Sequence, residues 1–281
     1  MTAEPAAEAV AEVTTGPKIT FHGYLTQAYA RSDGFRILGI PEEGTADYRT
    51  AALQIRADIS TDDSFLLQFS HERFGKSAVS ATKEDVELDW LYYEHRFGAS
   101  AVKVGRVQIP FGIYSEVRDV GTLLPFYRPS NDFYSDGAFA SETLDGIVLS
   151  HDFQLATGWS LEGDLHYGNW EFLLPDAATT GVIPVASVRN SLGAELWLDT
   201  PVSGLRVGAG AMRYDFELGP IEDRWKQYHV SVSGEFDRFD FHSELKWVDI
   251  LNDTVYLGYV QAGVKLTGKL TVNAQQDVFH V

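Results

Sequence analysis

The chain of 281 residues contains no cysteine, which excludes both a disulfide framework and a thiolate metal site. It also lacks any run approaching the roughly 20 consecutive apolar residues that a membrane-spanning helix needs. If it crosses a membrane, it does so with strands. Basic residues are scarce: 22 Lys and Arg stand against 40 Asp and Glu, and the formal charge of -18 repels nucleic acid phosphates. Nucleic acid is therefore not an expected partner. Residues 1–17, rich in Ala, Glu and Thr, lack the cationic start and apolar stretch of a secretory signal. They are expected to be a disordered mature N-terminus from which a signal has been removed.

Chemistry-bearing patterns are sparse as well. The eight His are scattered, with no close pair of the kind a zinc site uses, and no Gly-rich strand-to-helix turn cradles phosphate. The acidic stretches near 41–46 and 132–145 match no dedicated calcium loop. No cofactor or metal is expected. His229, Ser231 and Ser233 sit at alternate positions of one segment and so share a face. A barrel phospholipase uses that His and Ser spacing with an Asn directly after the Ser, where this chain has Val232. A polar inward stripe is the better account of the triplet.

What the chain has in abundance is aromatics (17 Phe, 13 Tyr, 6 Trp), 25 Gly, and segments of about ten residues with period-2 alternation. In 159–169, Trp159, Leu161, Gly163, Leu165 and Tyr167 share one face, while Ser160, Glu162, Asp164 and His166 share the other. The first face suits lipid and the second suits water. The same division recurs near 53–59, 191–199, 239–247 and 260–266. Short turns near 61–64, 97–100, 156–159, 201–204, 237–238 and 267–269 alternate with longer links near 33–47, 75–85, 111–143, 173–188, 218–224 and 251–254. Many aromatics fall near segment ends, where amphipathic rings favour a hydrocarbon–water interface.

This pattern predicts an all-β chain: an antiparallel up-and-down transmembrane β-barrel over 18–281, with about thirteen strands counted from Ile19. Bacterial barrels are normally even-stranded, and the chain does not close on a terminal aromatic. The expectation is an incomplete C-terminus, with thirteen strands present of 14–18.

The longest link, 111–143, follows Val104-Gly-Arg-Val-Gln-Ile-Pro-Phe-Gly-Ile-Tyr, and its aromatic content argues that it packs against the inside of the barrel. Gly105, Arg106, Pro110, Phe111, Gly112, Tyr114, Glu116, Arg118, Asp119, Arg128, Pro129 and the Asp136-Gly137 step match a known pattern. Here the chain resembles the porin-like superfamily of Gram-negative outer membranes, the general and anion-type diffusion porins. The resemblance is specific around 103–146 and architectural elsewhere.

The resemblance implies an outer-membrane location among lipid and lipopolysaccharide, a homotrimer, and passive diffusion of small polar solutes and ions. It also implies that loop 111–143 folds into the lumen and narrows it. Glu116, Arg118, Asp119 and Arg128 on the loop, facing Arg56, Lys103 and Arg106 on the wall, are then the expected constriction, with a transverse field across it. Arg106 and Arg118 read equally well as ties that hold the loop down. A non-conducting barrel with an adhesive or structural role remains the alternative, and no enzymatic activity is expected.

Overall fold

The computed structural model describes residues 16–34, 40–75, 86–118, 120–121, 123–134, 137–175, 182–251 and 253–280. Thirteen strands follow one another: β1(Lys18–Ala30), β2(Thr45–Asp58), β3(Asp63–Phe74), β4(Glu87–Phe97), β5(Ser100–Gln108), β6(Thr143–Ala156), β7(Trp159–Pro175), β8(Val182–Asp199), β9(Leu205–Leu218), β10(Ile221–Glu235), β11(Phe239–Ile250), β12(Asp253–Thr267) and β13(Leu270–His280). A single helical turn, α1(Asn131–Tyr134), interrupts the link between β5 and β6. Every strand pairs antiparallel with its neighbour in the chain, so the sheet runs in order from β1 to β13. Among the described residues no ladder joins β1 to β13.

Register settles the faces. Asp164 lies opposite Glu195, Glu195 opposite Gly210, Gly210 opposite His229, and His229 opposite Lys246. Directly opposed residues share a face, so this rung places Gly210 and four polar side chains on one side of five neighbouring strands. They are buried, whereas the alternate positions Leu165, Leu196, Val230 and Leu245 are exposed. A water-soluble protein would hide the second set. Leu53, Phe65, Leu149 and Val260 continue the exposed apolar face around the sheet. The division predicted for 159–169 and its counterparts is the one observed.

The sheet cannot be flat. Strands lie about 4.8 Å apart, so thirteen side by side would span nearly 60 Å. Yet the link between β5 and β6 meets both ends of the strand order. An added Cβ on Gly121 would lie 2.4 Å from Thr26 Oγ1 on β1, and Ser130 Oγ donates to Asp277 Oδ1 on β13 at 2.5 Å. The sheet curls around this loop, and the main buried cluster joins loop residues Phe111, Tyr114, Phe133 and Tyr134 to inward residues such as Met212, Tyr214 and Tyr259.

Three of the longer links differ from the sequence reading. The links near 218–224 and 251–254 shrink to tight turns, because β9 runs to Leu218 and β10 starts at Ile221, while β11 ends at Ile250 and β12 starts at Asp253. Gly219 at φ 58° and Leu251 at φ 50° make the reversals. Their polar and Gly-Pro composition looks like a loop, but the ladder carries the alternation up to both turns. Pairing likewise extends through Pro175 and Val182, which shortens the link predicted over 173–188.

Candidate functional site

Loop 111–143 enters from the end of β5 and is fastened to the inner wall of β8, β10, β11 and β12. Its deepest backbone, at 112–114, makes three contacts. Gly112 N donates to Glu195 Oε1 at 3.3 Å, Ile113 N donates to Glu244 Oε1 at 2.9 Å, and Tyr114 N donates to Tyr134 Oη at 3.0 Å. Position 112 needs glycine twice over. Its φ is 72°, and a Cβ there would lie 2.5 Å from Glu244 Oε1 and 2.7 Å from Tyr134 Oη.

Glu244 is the centre of this attachment. Besides Ile113 N, its carboxylate accepts from Ser231 Oγ at 2.6 Å, from Tyr259 Oη at 2.7 Å and from Tyr134 Oη. Two donors come from the loop and two from the wall. Only 2% of Glu244 is exposed, so each bond replaces one that water would otherwise provide. Two residues along, Lys246 Nζ donates to Phe133 O at 2.6 Å and Phe139 O at 3.1 Å and sits 4.6 Å from the centre of the Phe133 ring. Lys246 is fully buried.

A second carboxylate, Glu195, meets His229, whose Nε2 lies 3.0 Å from Oε1 and 2.9 Å from Oε2. The two residues belong to β8 and β10 and reach each other across β9 because Gly210 stands between them. A Cβ at Gly210 would lie 2.1 Å from Glu195 Oε2. Higher in the lumen, Trp170 Nε1 donates to Gly137 O at 3.2 Å and Tyr214 Oη donates to Ala138 O at 2.7 Å. The aromatic residues Phe133 and Tyr134 are 0% and 3% exposed, so they pack the loop in place. Burial pushes the Tyr114 phenol up to about 12 and, with the Glu244 carboxylate beside it, pushes Tyr134 well above its ordinary range.

The residues expected to form the constriction separate into groups. Lys103 and Glu116 face each other inside the lumen at 3.4 Å, and Lys103 also lies 5.8 Å from the centre of the Tyr92 ring. Arg56 is on the inner face with its Nε 2.6 Å from Asp58 Oδ1. Arg118 is buried beneath the loop, where Nη1 donates to Tyr134 O at 2.8 Å and Nη2 lies 3.6 Å from Glu142 Oε2. It is a tie. Arg128 lies over the Phe74 ring at 4.3 Å. Asp119 falls outside the described residues, as does Asp136.

Arg106 is a correction. It opposes Leu91 on β4 and Asp145 on β6, and its Nε donates to Asp145 Oδ1 at 3.0 Å on the outward face. Lys103 and Arg106 are three residues apart on one strand, so they cannot both point inward.

Between the loop and the wall lies a cavity of about 250 Å³ whose lining includes Glu116, Glu162, Asp164, Glu195 and Glu235, with Phe111, Trp197 and Ser233. One basic residue, Arg206, shares it. His229 and Ser231 each meet a carboxylate, and Ser233 Oγ lies 3.0 Å from His242 Nδ1. The other nitrogen of His242 is 3.9 Å from Asp240 Oδ1, beyond hydrogen-bond reach. Glu195, Glu244 and Lys246 were visible in sequence as members of a polar face; nothing there marked them as the loop's anchors.

No family model matches the chain, and no curated protein matches it. Solved structures do show similarity. OmpF of Salmonella typhi in complex with daunomycin is 9% identical, with a TM-score of 0.47 over 94% of this chain and 90% of that one. A loop L8 deletion mutant of OmpT, an outer membrane protein of Vibrio cholerae, is 10% identical, with a TM-score of 0.48 over 94% of both chains. An anion-selective porin from Comamonas acidovorans is 9% identical, with a TM-score of 0.45 over 92% of this chain and 87% of that one. A likeness at this level fixes neither family nor solute.

Proposed function

We propose that the chain forms the wall of an outer-membrane diffusion pore of porin type, in which small polar solutes pass a constriction made by loop 111–143. The observation that carries this reading is the inversion of polarity around the sheet. Leu53, Leu165, Leu196 and Val260 are exposed outside, while Glu195, His229, Glu244 and Lys246 are buried inside. Only an apolar surround rewards that arrangement, and strands satisfy their backbone groups within it. A loop fastened inside the sheet narrows the passage without filling it, since a cavity of about 250 Å³ remains beside it.

Glu116 lines this cavity with Lys103 paired to it, Arg56 is on the inner face paired to Asp58, and Arg118 and Arg128 hold the loop in shape. The solutes move down their own gradients, and no chemistry is required of the lining. A homotrimer in the outer membrane, its outer faces in contact with lipid and lipopolysaccharide, is the setting that suits an apolar exterior of this extent.

Single-channel recording in planar bilayers tests the reading. The purified protein is expected to give discrete conductance steps that persist at low voltage. A protein that inserts into the bilayer and gives none is a closed barrel with a structural or adhesive role.

A further inference from the structure

We propose that the outward face of β9 and β10 carries a site for the phosphate of a lipopolysaccharide headgroup, built from Arg213 and Lys226. This rests on the outer-membrane reading and adds a specific lipid partner on the surface away from the lumen.

Three successive rungs on that face change character in order. The first is aliphatic, with Leu196, Ala209, Val230 and Leu245 opposing one another across β8 to β11. Two residues nearer the end where β5 gives way to loop 111–143, the rung Ala211, Tyr228, Trp247 and Tyr256 is aromatic, with the Tyr228 and Trp247 rings stacked at 5.7 Å. The next rung is Arg213, Lys226 and Asp249. Aliphatic, aromatic and charged rungs about 7 Å apart follow the order in which a bilayer passes from hydrocarbon through its interface to its headgroups. The cationic rung therefore stands at the level of lipid phosphate.

Arg213 and Lys226 are directly opposed, both are exposed, and no carboxylate pairs with either among the described residues. The carboxylates nearby are engaged elsewhere. Asp215 accepts from Arg224 Nε at 2.7 Å and from Asn190 Nδ2 at 3.0 Å, and Asp249 accepts from Thr254 Oγ1 at 3.1 Å. Farther out the face turns acidic where Glu217 opposes Glu222, so the unmatched positive charge is confined to one rung. Like charges directly opposed across two strands repel each other. In a chain of net charge -18, an anion from outside is what completes the pair.

The spacing suits a phosphomonoester. Directly opposed Cβ atoms stand about 5 Å apart, so both side chains reach one phosphate, the guanidinium fork taking two oxygens and the ammonium the third. A monoester offers three such oxygens and nearly two charges. A phosphodiester lipid offers two oxygens and one charge.

Native mass spectrometry of the folded protein in detergent with added lipopolysaccharide, together with its melting temperature, tests this. A stoichiometric adduct and a higher melting temperature are expected. The double variant Arg213→Gln, Lys226→Gln should bind about tenfold more weakly or worse, and enzymatically dephosphorylated lipopolysaccharide should lose binding to the parent protein in the same way. Arg238→Gln with Lys269→Gln removes equal charge from exposed turns at the opposite end and should leave binding unchanged. Because the repulsion goes with the charges, the lipid-free melting temperature of the first variant is expected to hold or rise, which separates loss of the site from loss of the fold; should that variant fail to fold, the dephosphorylated lipid decides. No adduct, equal binding by the variant, or equal binding of the dephosphorylated lipid would overturn the site. Phosphatidylglycerol bound as tightly as lipopolysaccharide, or an equal rise in melting temperature with inorganic phosphate alone, would overturn the choice of partner. Conductance steps without lipid binding would overturn the site and leave the pore, whereas lipid binding without conductance would do the opposite.

Discussion

Ile113 N donates to Glu244 Oε1 at 2.9 Å, joining residues 131 positions apart in the chain. Through this bond and its neighbours loop 111–143 is joined to the far wall of the sheet, away from its origin at the end of β5. Glu244 is thus a principal anchor of the loop's inner end, accepting four hydrogen bonds, and that end is sensitive to the carboxylate's chemistry.

Replacing Glu244 by Gln is expected to loosen the loop. An amide has one acceptor oxygen where four donors now converge, and its own N–H groups would face them. A loss of about 3 kcal/mol is expected from leaving buried donors unmatched. Urea unfolding in detergent would register it, and single channels should become noisier and larger. Unchanged unfolding and unchanged conductance would show that the loop is held by other means.

Lys246→Met tests the upper part of the same loop. The side chain stays unbranched and apolar along its stem but leaves the carbonyls of Phe133 and Phe139 without their donor, which costs about 1–3 kcal/mol for each buried group. Limited proteolysis should then cleave within 130–142 faster than in the parent protein. Equal cleavage rates would argue that aromatic packing alone fixes this segment.

Arg106→Gln is predicted to leave conductance and ion preference unchanged, because the side chain pairs with Asp145 on the outer face. The same change at Lys103, inside and against Glu116, removes an inward positive charge and should shift ion preference toward cations. A large effect at 106 with none at 103 would reverse the assignment of faces on β5.

Alkali should release the loop. The folded state holds Tyr114 neutral up to about pH 12 and raises Tyr134 well above its ordinary range, whereas an exposed phenol ionises near pH 10. A folded pKa raised in this way contributes stability that is fully present below about pH 10 and is lost as the pH rises through the folded value. Phenolate absorbance is expected to appear in two stages, with the second accompanied by higher conductance. A single titration near pH 10 for every tyrosine would contradict the buried environment.

Much of the architecture was legible because period-2 alternation is a local property. Leu165 beside His166, or Leu245 beside Lys246, already says which face is which. The same rule, applied to Lys103 and Arg106, would have separated them, but the resemblance to a Gly-Arg strand end drew both into the lumen. The turns at Gly219 and Leu251 were obscured because polar residues continue through a two-residue reversal as readily as through a long loop. The anchors were not legible at all. Glu195 meets Gly112 across 83 positions and Tyr114 meets Gln261 across 147, and nothing local in the sequence encodes which inward residue a curled sheet brings beneath a loop.

The loop also meets both edges of the sheet, at Thr26 on β1 and Asp277 on β13, which no ladder joins among the described residues. In the proposed pore it would therefore act as an internal splint as well as a filter. Bore width and wall stiffness would then be set by one segment. Trimming the loop to admit larger solutes would also remove the cross-member between the two edges, so a wider variant of this protein should be a more compliant one.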